Sequence, residues 1–207
     1  MSPNFAAKWL VRRLDAFFEQ HPGVDLRISA ATQHVDFDSD GIDMAVRHGA
    51  GDWPHLHVTK LCTEALFPVY SNSSHDGGNR INTVEDLTRH VLLHDRTREG
   101  WEPWLRQFRS DLAVFKLDKG PVFNQSALAI DGAVAGQGVA LARSALAALD
   151  LLARRLVLPL DEFIPARFAY WIVCLKSSAG MPKITQFTRW LRAEADRDEL
   201  GLDARRG

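Results

Sequence analysis

Three aspartates and a glycine are spaced in this sequence as in the first half of a calcium-binding loop. The stretch D-F-D-S-D-G, residues 36–41, matches loop positions 1, 3, 5 and 6 of an EF-hand. Position 12 of that loop needs a bidentate glutamate, but here it is Arg47. Because a cation at that position would repel the metal ion, we interpret the stretch as a turn leading into a short buried strand over 42–46.

Signatures of catalysis or cofactor binding are missing from the sequence. It contains no G-x-S-x-G elbow, Walker loop or H-E-x-x-H motif, and its eight histidines lack metal-ligand spacing to a second histidine or cysteine. The G-Q-G at 136–138 follows a predicted helix and precedes a predicted strand, the reverse of a dinucleotide-binding turn. We interpret it as a helix C-cap, and we predict no catalytic residue, metal or cofactor.

Small polar residues instead recur where a predicted strand or loop passes into a helix. Free backbone amides at helix N-termini and side-chain hydroxyls together suit an anion or carboxylate ligand. Taken alone, each segment is more typical of a simple N-cap. The segments are Ser2-Pro3-Asn4-Phe5, Thr32-Gln33, Phe123-Asn124-Gln125-Ser126 and the turn around Arg47.

An amphipathic helix is predicted over residues 5–20. Its apolar stripe comprises Phe5, Trp9, Leu10, Leu14, Phe17 and Phe18. Ser2 and Pro3 are suited to the N-terminus, and His21-Pro22-Gly23 should end the helix.

Strands and helices alternate along the rest of the chain, which favours an α/β fold with largely parallel sheets. A capping box at 83–86 should open a short helix, and the polar stretch 71–80 is predicted to be a loop and a lobe boundary. The predicted strands are 24–31, 42–46, 58–62, 65–71, 91–94, 122–123, 139–142, 156–160 and 167–175. The later predicted helices are 101–108, 126–135, 144–153 and 182–197.

Composition indicates a folded protein without an overall basic field. The 207 residues are 46% apolar and 25% charged, with a net charge of −1, so contact with DNA would require another segment. Cys62 and Cys174 lie in apolar runs and are predicted to be buried thiols. We find neither a signal peptide nor an 18-residue apolar run, and therefore expect a cytoplasmic protein with no membrane contact.

Six segments, taken in order, resemble the effector-binding domain of LysR-type transcriptional regulators. The similarity is closest to the subgroup that contains the glycine-cleavage activator and the β-lactamase regulator. The strongest marker is GIDMAVRHGAGDWP followed by LFPVYS. The segments are SPNFAAKWLVRRLDAFFEQHPGVDLRI, FDSDGIDMAVRHGAGDWPHL, EALFPVYS, LLHDRTREGWEPWL, FNQSALAIDGAVAGQGVALA and RFAYWIVCLKSSAGMPKITQFTRWL.

This resemblance implies a type 2 periplasmic-binding-protein-like α/β fold, in which two α/β lobes are joined by two crossover strands. We expect lobe I to comprise residues 1–71 plus 176–207 and lobe II to comprise 72–175, with a small-molecule effector in the cleft between them. It also implies a homodimer in which the first helix meets the second lobe of the other subunit.

The resemblance further implies which residues bind the effector. Ser2 and Asn4 would begin the first helix, Thr32 and Gln33 would follow the next strand, and Arg47 would follow the third. Asn124, Gln125, Ser126 and Tyr170 would come from the second lobe. We favour the hydroxyls of Ser2, Thr32, Ser126 and Tyr170; Arg47 could pair with a ligand carboxylate or with a nearby aspartate.

Two features of the family are missing. The DNA-reading helix-turn-helix with its linker helix does not precede the domain in this sequence, nor does the strand usually found before the Ser-Pro segment. We therefore expect a truncated reading frame or a clipped fragment that binds DNA only through a domain absent here.

Three functional hypotheses follow. The first is the effector-binding and dimerisation domain of a LysR-type DNA-binding regulator that senses an amino acid, an organic acid or a cell-wall fragment. The second is a stand-alone cytoplasmic solute-binding module, because fold alone does not fix function. The third, an enzyme, lacks an identifiable acid and base pair, and we expect no enzymatic activity.

Overall fold

The computed structural model describes residues 1–76, 80–108 and 111–203. The chain divides into two compact units, the first formed by residues 1–64 and 166–203 and the second by residues 65–165. The chain therefore passes between the units twice. The described residues contain no helix that is long and apolar enough to cross a membrane.

In the described part of the chain, nine strands and seven helical segments form the two units. The first helical segment, α1, joins an α-helix (Pro3–Phe5), a π-helix (Ala6–Leu10), a 3-10 helix (Val11–Arg13) and an α-helix (Leu14–Gln20). The strands are β1 Ala45–Gly49, β2 Leu56–Cys62, β3 Ala65–Ser71, β4 Leu92–Asp95, β5 Val122–Phe123, β6 Val139–Arg143, β7 Leu156–Val157, β8 Ile164–Pro165 and β9 Ala169–Leu175. The other helices are α2 Asn72–Asp76, α3 Trp101–Phe108, α4 Ser126–Val134, α5 Ser144–Leu152 and α6 Pro182–Asp203, with a 3-10 helix at Val84–Arg89.

The sheet of the first unit has β9 between β1 and β2, and both pairings are antiparallel. Because β9 is bonded on both sides within this sheet, it belongs to the first unit, whereas β3 pairs with strands of the second. The predicted boundaries at 71/72 and 175/176 thus differ from the observed ones at 64/65 and 165/166. The prediction that Tyr170 belongs to the second lobe was wrong for the same reason.

The helical segment α1 packs its aromatic residues into the first unit. Phe5, Trp9 and Phe17 are at most 1% exposed, and the rings of Phe5 and Trp9 stack with centroids 4.8 Å apart. Phe18, which belongs to the predicted apolar stripe, is 39% exposed. The predicted stripe assumes a uniform α-helix. The π and 3-10 turns that precede Phe18 change the angular spacing of the side chains around the helix axis.

A buried ion pair joins α1 to α6. Arg13 donates to Asp198 Oδ1 at 2.5 Å and Oδ2 at 2.6 Å, and Trp9 Nε1 donates to the same carboxylate at 2.7 Å. Arg13 is also bonded to the carbonyl of Trp9. Since every charged group in this cluster has a partner, burial of the guanidinium is compensated.

Residues 24–31 are extended but do not form the predicted strand. Val24, Leu26 and Ile28 alternate with polar residues as a strand would. Apart from a turn bond from Val24 N to His21 O at 3.2 Å, however, the backbone bonds of this segment within the described residues are to Met1, whose amine donates to Ser29 O at 3.1 Å and whose carbonyl accepts from Ala31 N at 2.9 Å. Strand formation needs a partner along the whole edge. A cavity of about 380 Å³ lies beside this segment and is lined in part by it and by residues 41–46.

The sheet of the second unit has the strand order β5-β4-β6-β3-β7, with β8 also paired to β3. Among the described strands, two pairings are parallel, β4 with β5 and β4 with β6. The prediction of largely parallel sheets was therefore wrong, because β3 and β9 run antiparallel to their neighbours. The core of this unit includes Tyr70, Trp101, Trp104 and Leu105.

Several predicted helix ends are confirmed. The Thr83 and Asp86 side chains form the predicted capping box, and Gly136 ends α4 with φ +75°, as predicted for the G-Q-G segment. α3 has the predicted bounds, and α4 and α5 each end one residue early. The predicted loop 71–80 begins with α2, and residues 77–79 of it lie outside the described residues.

Gly120 allows the loop before β5 to approach β4 closely. Its φ is +89°, and a Cβ atom there would lie 2.1 Å from the carbonyl oxygen of Leu92. We expect Gly120→Ala to lower the free energy of unfolding by about 3 kcal/mol or more, because both the backbone angle and the contact are unfavourable. Urea unfolding measures this change. Gly100→Ala, at a position with open space, is the control, and equal stability of the two variants would contradict the prediction.

His94 makes the stability of the second unit depend on pH. The side chain is 1% exposed, its Nε2 lies 2.6 Å from Lys119 O as a donor, and burial lowers the pKa of its imidazole. The unfolded chain takes up this proton near pH 6.5, whereas the folded chain takes it up only at lower pH. The contribution of His94 to the free energy of unfolding is therefore fully present above about pH 6.5 and decreases as the pH falls below that value.

We expect His94→Gln to flatten this decrease, by at most about 1.4 kcal/mol per pH unit for one group. The measurement is urea unfolding between about pH 5 and 7, comparing slopes rather than absolute stabilities. His55→Gln, at an exposed position, should keep the slope of the unmodified protein. An unchanged slope in His94→Gln would show that the buried imidazole does not resist protonation.

Candidate functional site

Ser2 begins α1 and caps it. Its backbone is extended, and its Oγ accepts from the Phe5 amide at 3.3 Å, while Pro3 occupies the first turn, where no amide is needed. Ser2 and Asn4 are both half-buried. The structure therefore confirms the N-cap interpretation of this segment, and the hydroxyl is fixed by its own helix.

Tyr170 lies beside the start of α1, within the first unit. Its ring centroid is 4.7 Å from that of Phe5 and 4.8 Å from the His48 ring, and its backbone pairs with His48 in β1. Phe5 in turn is the residue that Ser2 caps. The structure thus brings two of the predicted hydroxyl residues, Ser2 and Tyr170, to one region of the unit.

A buried carboxylate adjoins this region and was not predicted. Glu64 has a fully buried side chain, and His48 Nε2 lies 2.7 Å from its Oε2. A second aromatic residue, Phe168, packs against the His48 ring at 5.8 Å. Glu64 is far from His48 in sequence, and its surroundings carry no motif that would have revealed the pair.

Thr32 and Gln33 follow the extended segment 24–31, as predicted for a strand end, although that segment is not a strand. Both side chains are exposed, and in the described part of the chain neither has a hydrogen bond. They are accessible polar groups with unoccupied hydrogen-bonding capacity.

Arg47 donates a hydrogen bond to the backbone of the neighbouring loop. Its Nη2 donates to Val35 O at 3.1 Å, and its guanidinium lies 5.6 Å from the ring centroids of both Phe37 and Trp53. Burial lowers its pKa. Within the described residues it makes no ion pair, so the proposed pairing with a nearby aspartate is not what the structure has.

The aspartates of residues 36–41 bind their own backbone. Asp36 Oδ1 accepts from the Asp38 amide, and Asp40 Oδ2 accepts from the Asp36 amide, each at 3.0 Å. Gly41 has φ +64°, as a turn requires. The described residues contain no group of three or more metal-binding side chains, and these carboxylates serve the turn.

In the second unit, Ser126 is the first residue of α4 and its hydroxyl donates to Asp95 Oδ2 at 2.6 Å. Asp95 ends β4, and β5 ends beside it, with Asp95 paired to Phe123. Ligands of α/β proteins commonly bind at the carboxyl ends of parallel strands. Asn124 and Gln125 span the gap between β5 and α4, so the three predicted residues of this segment do lie at such an edge.

Asp95 was missed by the sequence analysis. Its Oδ1 is buried and has no hydrogen-bond partner in the described structure, and the next residue, Arg96, has φ +63°. A non-glycine residue in that conformation is strained, which is common near functional sites. The polar run H-D-R at the end of a predicted strand was the available signal.

Each unit therefore presents hydroxyl and amide groups at the ends of strands or at helix N-termini. Such groups can orient a small polar molecule by hydrogen bonds.

Comparison with known proteins gives the family. Residues 1–196 match the family model described as the LysR substrate binding domain. The chain is 40% identical over 193 residues to the glycine cleavage system transcriptional activator of Escherichia coli K12, covering 93% of the chain and 63% of the relative. It is 34% identical to the transcriptional activator AmpR of Providencia stuartii, covering 94% and 64%. The chain thus spans less than two thirds of the length of these relatives.

Solved structures agree with this assignment. The effector domain of AmpR from Pseudomonas aeruginosa superimposes with a TM-score of 0.71 at 27% identity, covering 97% of this chain and 95% of that one. A Citrobacter freundii effector binding domain with threonine-to-valine, serine-to-alanine and tyrosine-to-phenylalanine substitutions also gives a TM-score of 0.71, at 27% identity and with 94% of this chain and 96% of that one covered. The matches have the α/β architecture of periplasmic binding proteins, as predicted, and the chain belongs to the LysR substrate-binding domain family.

Proposed function

We propose that this chain is the effector-sensing module of a longer DNA-binding regulator of the LysR type. The observation that carries the proposal is the family match over residues 1–196, together with relatives that are transcriptional activators. DNA would be bound through a domain outside this chain, in the cytoplasm, and the module would catalyse no reaction. The stand-alone solute-binding module gains no support from these relatives.

The effector is a small polar metabolite, of the class of amino acids, organic acids or cell-wall fragments. The hydroxyls of Ser2, Thr32, Ser126 and Tyr170 orient it, and Asn4, Gln33, Arg47, Asn124 and Gln125 lie beside them in sequence or on neighbouring elements. Support comes from the exposed position of Thr32 and from Ser126 at a strand-end edge. The three substitutions in the Citrobacter freundii protein each remove a hydroxyl from the same residue types that we favour.

Binding would act by shifting the population of conformers. The two units are connected by the chain at 64/65 and 165/166, so a ligand that contacts residues of both restricts their relative motion. A ligand shifts such an equilibrium only by its difference in affinity for the two states. In the longer protein this shift would change how the attached DNA-binding domains are presented.

A double variant that removes one hydroxyl from each unit tests this assignment. We expect Thr32→Val with Ser126→Ala to weaken effector binding by about 1–3 kcal/mol, or roughly 5- to 150-fold in Kd, because two hydrogen bonds are lost. The effector is first selected as the amino acid, aromatic acid or cell-wall fragment that raises the Tm of the unmodified chain. Affinity is then measured by isothermal titration calorimetry.

The control is Thr88→Val with Ser177→Ala, which removes the same groups outside the site, at one half-buried and one exposed position. It should bind like the unmodified chain. If both double variants retain full affinity and the native fold, the assignment of Thr32 and Ser126 to the effector site is incorrect.

We also propose that the module forms a homodimer through α1 and the segment that follows it. Val11 and Phe18 are 54% and 39% exposed, and Val24 and Ile28 are each 37% exposed. Trp9 and Phe17, in contrast, are buried within the unit and leave only these residues for a partner. Exposed apolar side chains grouped in this way suit a protein interface.

We expect Val11→Lys with Phe18→Lys to raise the dimer Kd at least about tenfold, because charged groups would be buried at the interface. Sedimentation equilibrium measures the change. Val114→Lys with Leu200→Lys, at two other exposed apolar positions, is the matched control. Monomeric behaviour of the unmodified chain at about 100 μM, or equal dimerisation of both variants, would refute this surface.

A further inference from the structure

A second cavity in the first unit lies apart from the effector site described above. Its volume is about 440 Å³, and it is bounded by α6 and by one face of β2 and β9. None of its lining residues is among the effector-site candidates. Its size is within the range of small-molecule pockets.

The floor of this cavity is apolar. Ile172, Cys174 and Ile184 are each at most 3% exposed and line it. On β2, Thr59 is paired with Ile172 and His57 with Cys174, so these side chains share the face that looks toward α6. An apolar body could be removed from water here.

The rim is polar and mainly cationic. Arg189 and Arg192 of α6 lie over the cavity together with His57, and Asp196 is the one acidic residue of the lining. Arg189 and Arg192 are three residues apart, which places them on the same face of the helix. Both are exposed, so their guanidinium groups are accessible to a ligand.

Two arginines of the second unit, exposed on helices as these are, are paired with acids. Arg106 lies 2.6 Å from Glu102, and Arg89 lies 2.7 Å from Asp86. Arg189 and Arg192 have no ion pair within the described residues, and like charges at this spacing destabilise a helix. Two neighbouring cations that form no ion pair within the described residues, beside an apolar cavity floor, are complementary to an amphipathic anion.

We propose that this cavity binds a small organic anion, with its apolar body on the floor and its carboxylate or phosphate between Arg189 and Arg192. Arginine is suited to both groups because its planar guanidinium donates two parallel hydrogen bonds. The buried apolar floor favours a small molecule over a nucleic-acid backbone, whose charges would contact only the rim. This proposal does not depend on the effector site.

The test uses the complete 207-residue chain, labelled with ¹⁵N, and a matched pair of probes. The anion is 4-phenylbutanoate and the cation is 4-phenylbutan-1-amine, which has the same carbon skeleton and the opposite charge. We expect 4-phenylbutanoate to cause saturable shifts at the amides of residues 57–59 and 185–196 with a Kd below about 10 mM. The amine should cause no saturable shift there.

The double variant Arg189→Ala with Arg192→Ala should weaken binding of 4-phenylbutanoate at least about tenfold. Arg89→Ala with Arg106→Ala removes the same charge elsewhere and should bind like the unmodified chain. Because all four positions are exposed, the spectra should show that the fold is retained. Binding that is absent, equal for the two probes, unchanged in the Arg189 and Arg192 variant, or replaced by saturable binding of duplex DNA at these amides would overturn the proposal.

Discussion

The pairing of β9 between β1 and β2 is the interaction on which the first unit depends. These strands are separated by about one hundred residues of the second unit, and their antiparallel bonds close the sheet only when the chain returns. The return places Tyr170 against Phe5 and His48. It also directs α6 along α1, where the Arg13 to Asp198 ion pair forms. Without β9, Phe5 of α1 would lose its contact with Tyr170, and the Ser2 and Tyr170 side chains would not lie in one region of the unit.

The polar groups of the two units differ in how firmly they are held. Ser126 is oriented by Asp95 and Ser2 by its cap to Phe5, so their positions are established before a ligand arrives. Thr32 and Gln33 are exposed at the end of a segment with little backbone bonding. Ordering such side chains costs conformational entropy on binding. Under the proposed function, the affinity for an effector would therefore depend on the cost of ordering Thr32 and Gln33.

The sequence predicted those features that depend on neighbouring residues. The Ser2 cap, the capping box at Thr83 and Asp86, the turn at 36–41 and the C-cap at Gly136 all follow from short-range hydrogen bonds, and the bounds of α3 follow from its apolar pattern. What failed depends on distant partners. Residues 24–31 have the alternation of a strand but lack a partner along their edge, and Tyr170 was assigned to the wrong unit because strand pairing cannot be read from one strand.

Site residues show the same division. Ser2, Thr32 and Ser126 could be proposed because hydroxyls at element ends carry a local signal. Asp95 and Glu64 were overlooked, since what distinguishes them is their contact with Ser126 and His48, which are remote in sequence. Arg47 carried a local signal, but two aromatic rings and a carbonyl occupy its guanidinium. Pattern analysis therefore finds exposed, locally determined groups better than groups fixed by tertiary contacts.

The most direct test of the account is a ¹⁵N nuclear magnetic resonance titration of the unmodified chain with amino acids, aromatic acids and cell-wall fragments. If the chain is an effector-sensing module, at least one of these metabolites shifts amides around Thr32 and around Ser126 together, saturably and with a single Kd. Shifts confined to one unit, or no saturable shift with any of them, would contradict the claim that one small effector engages both.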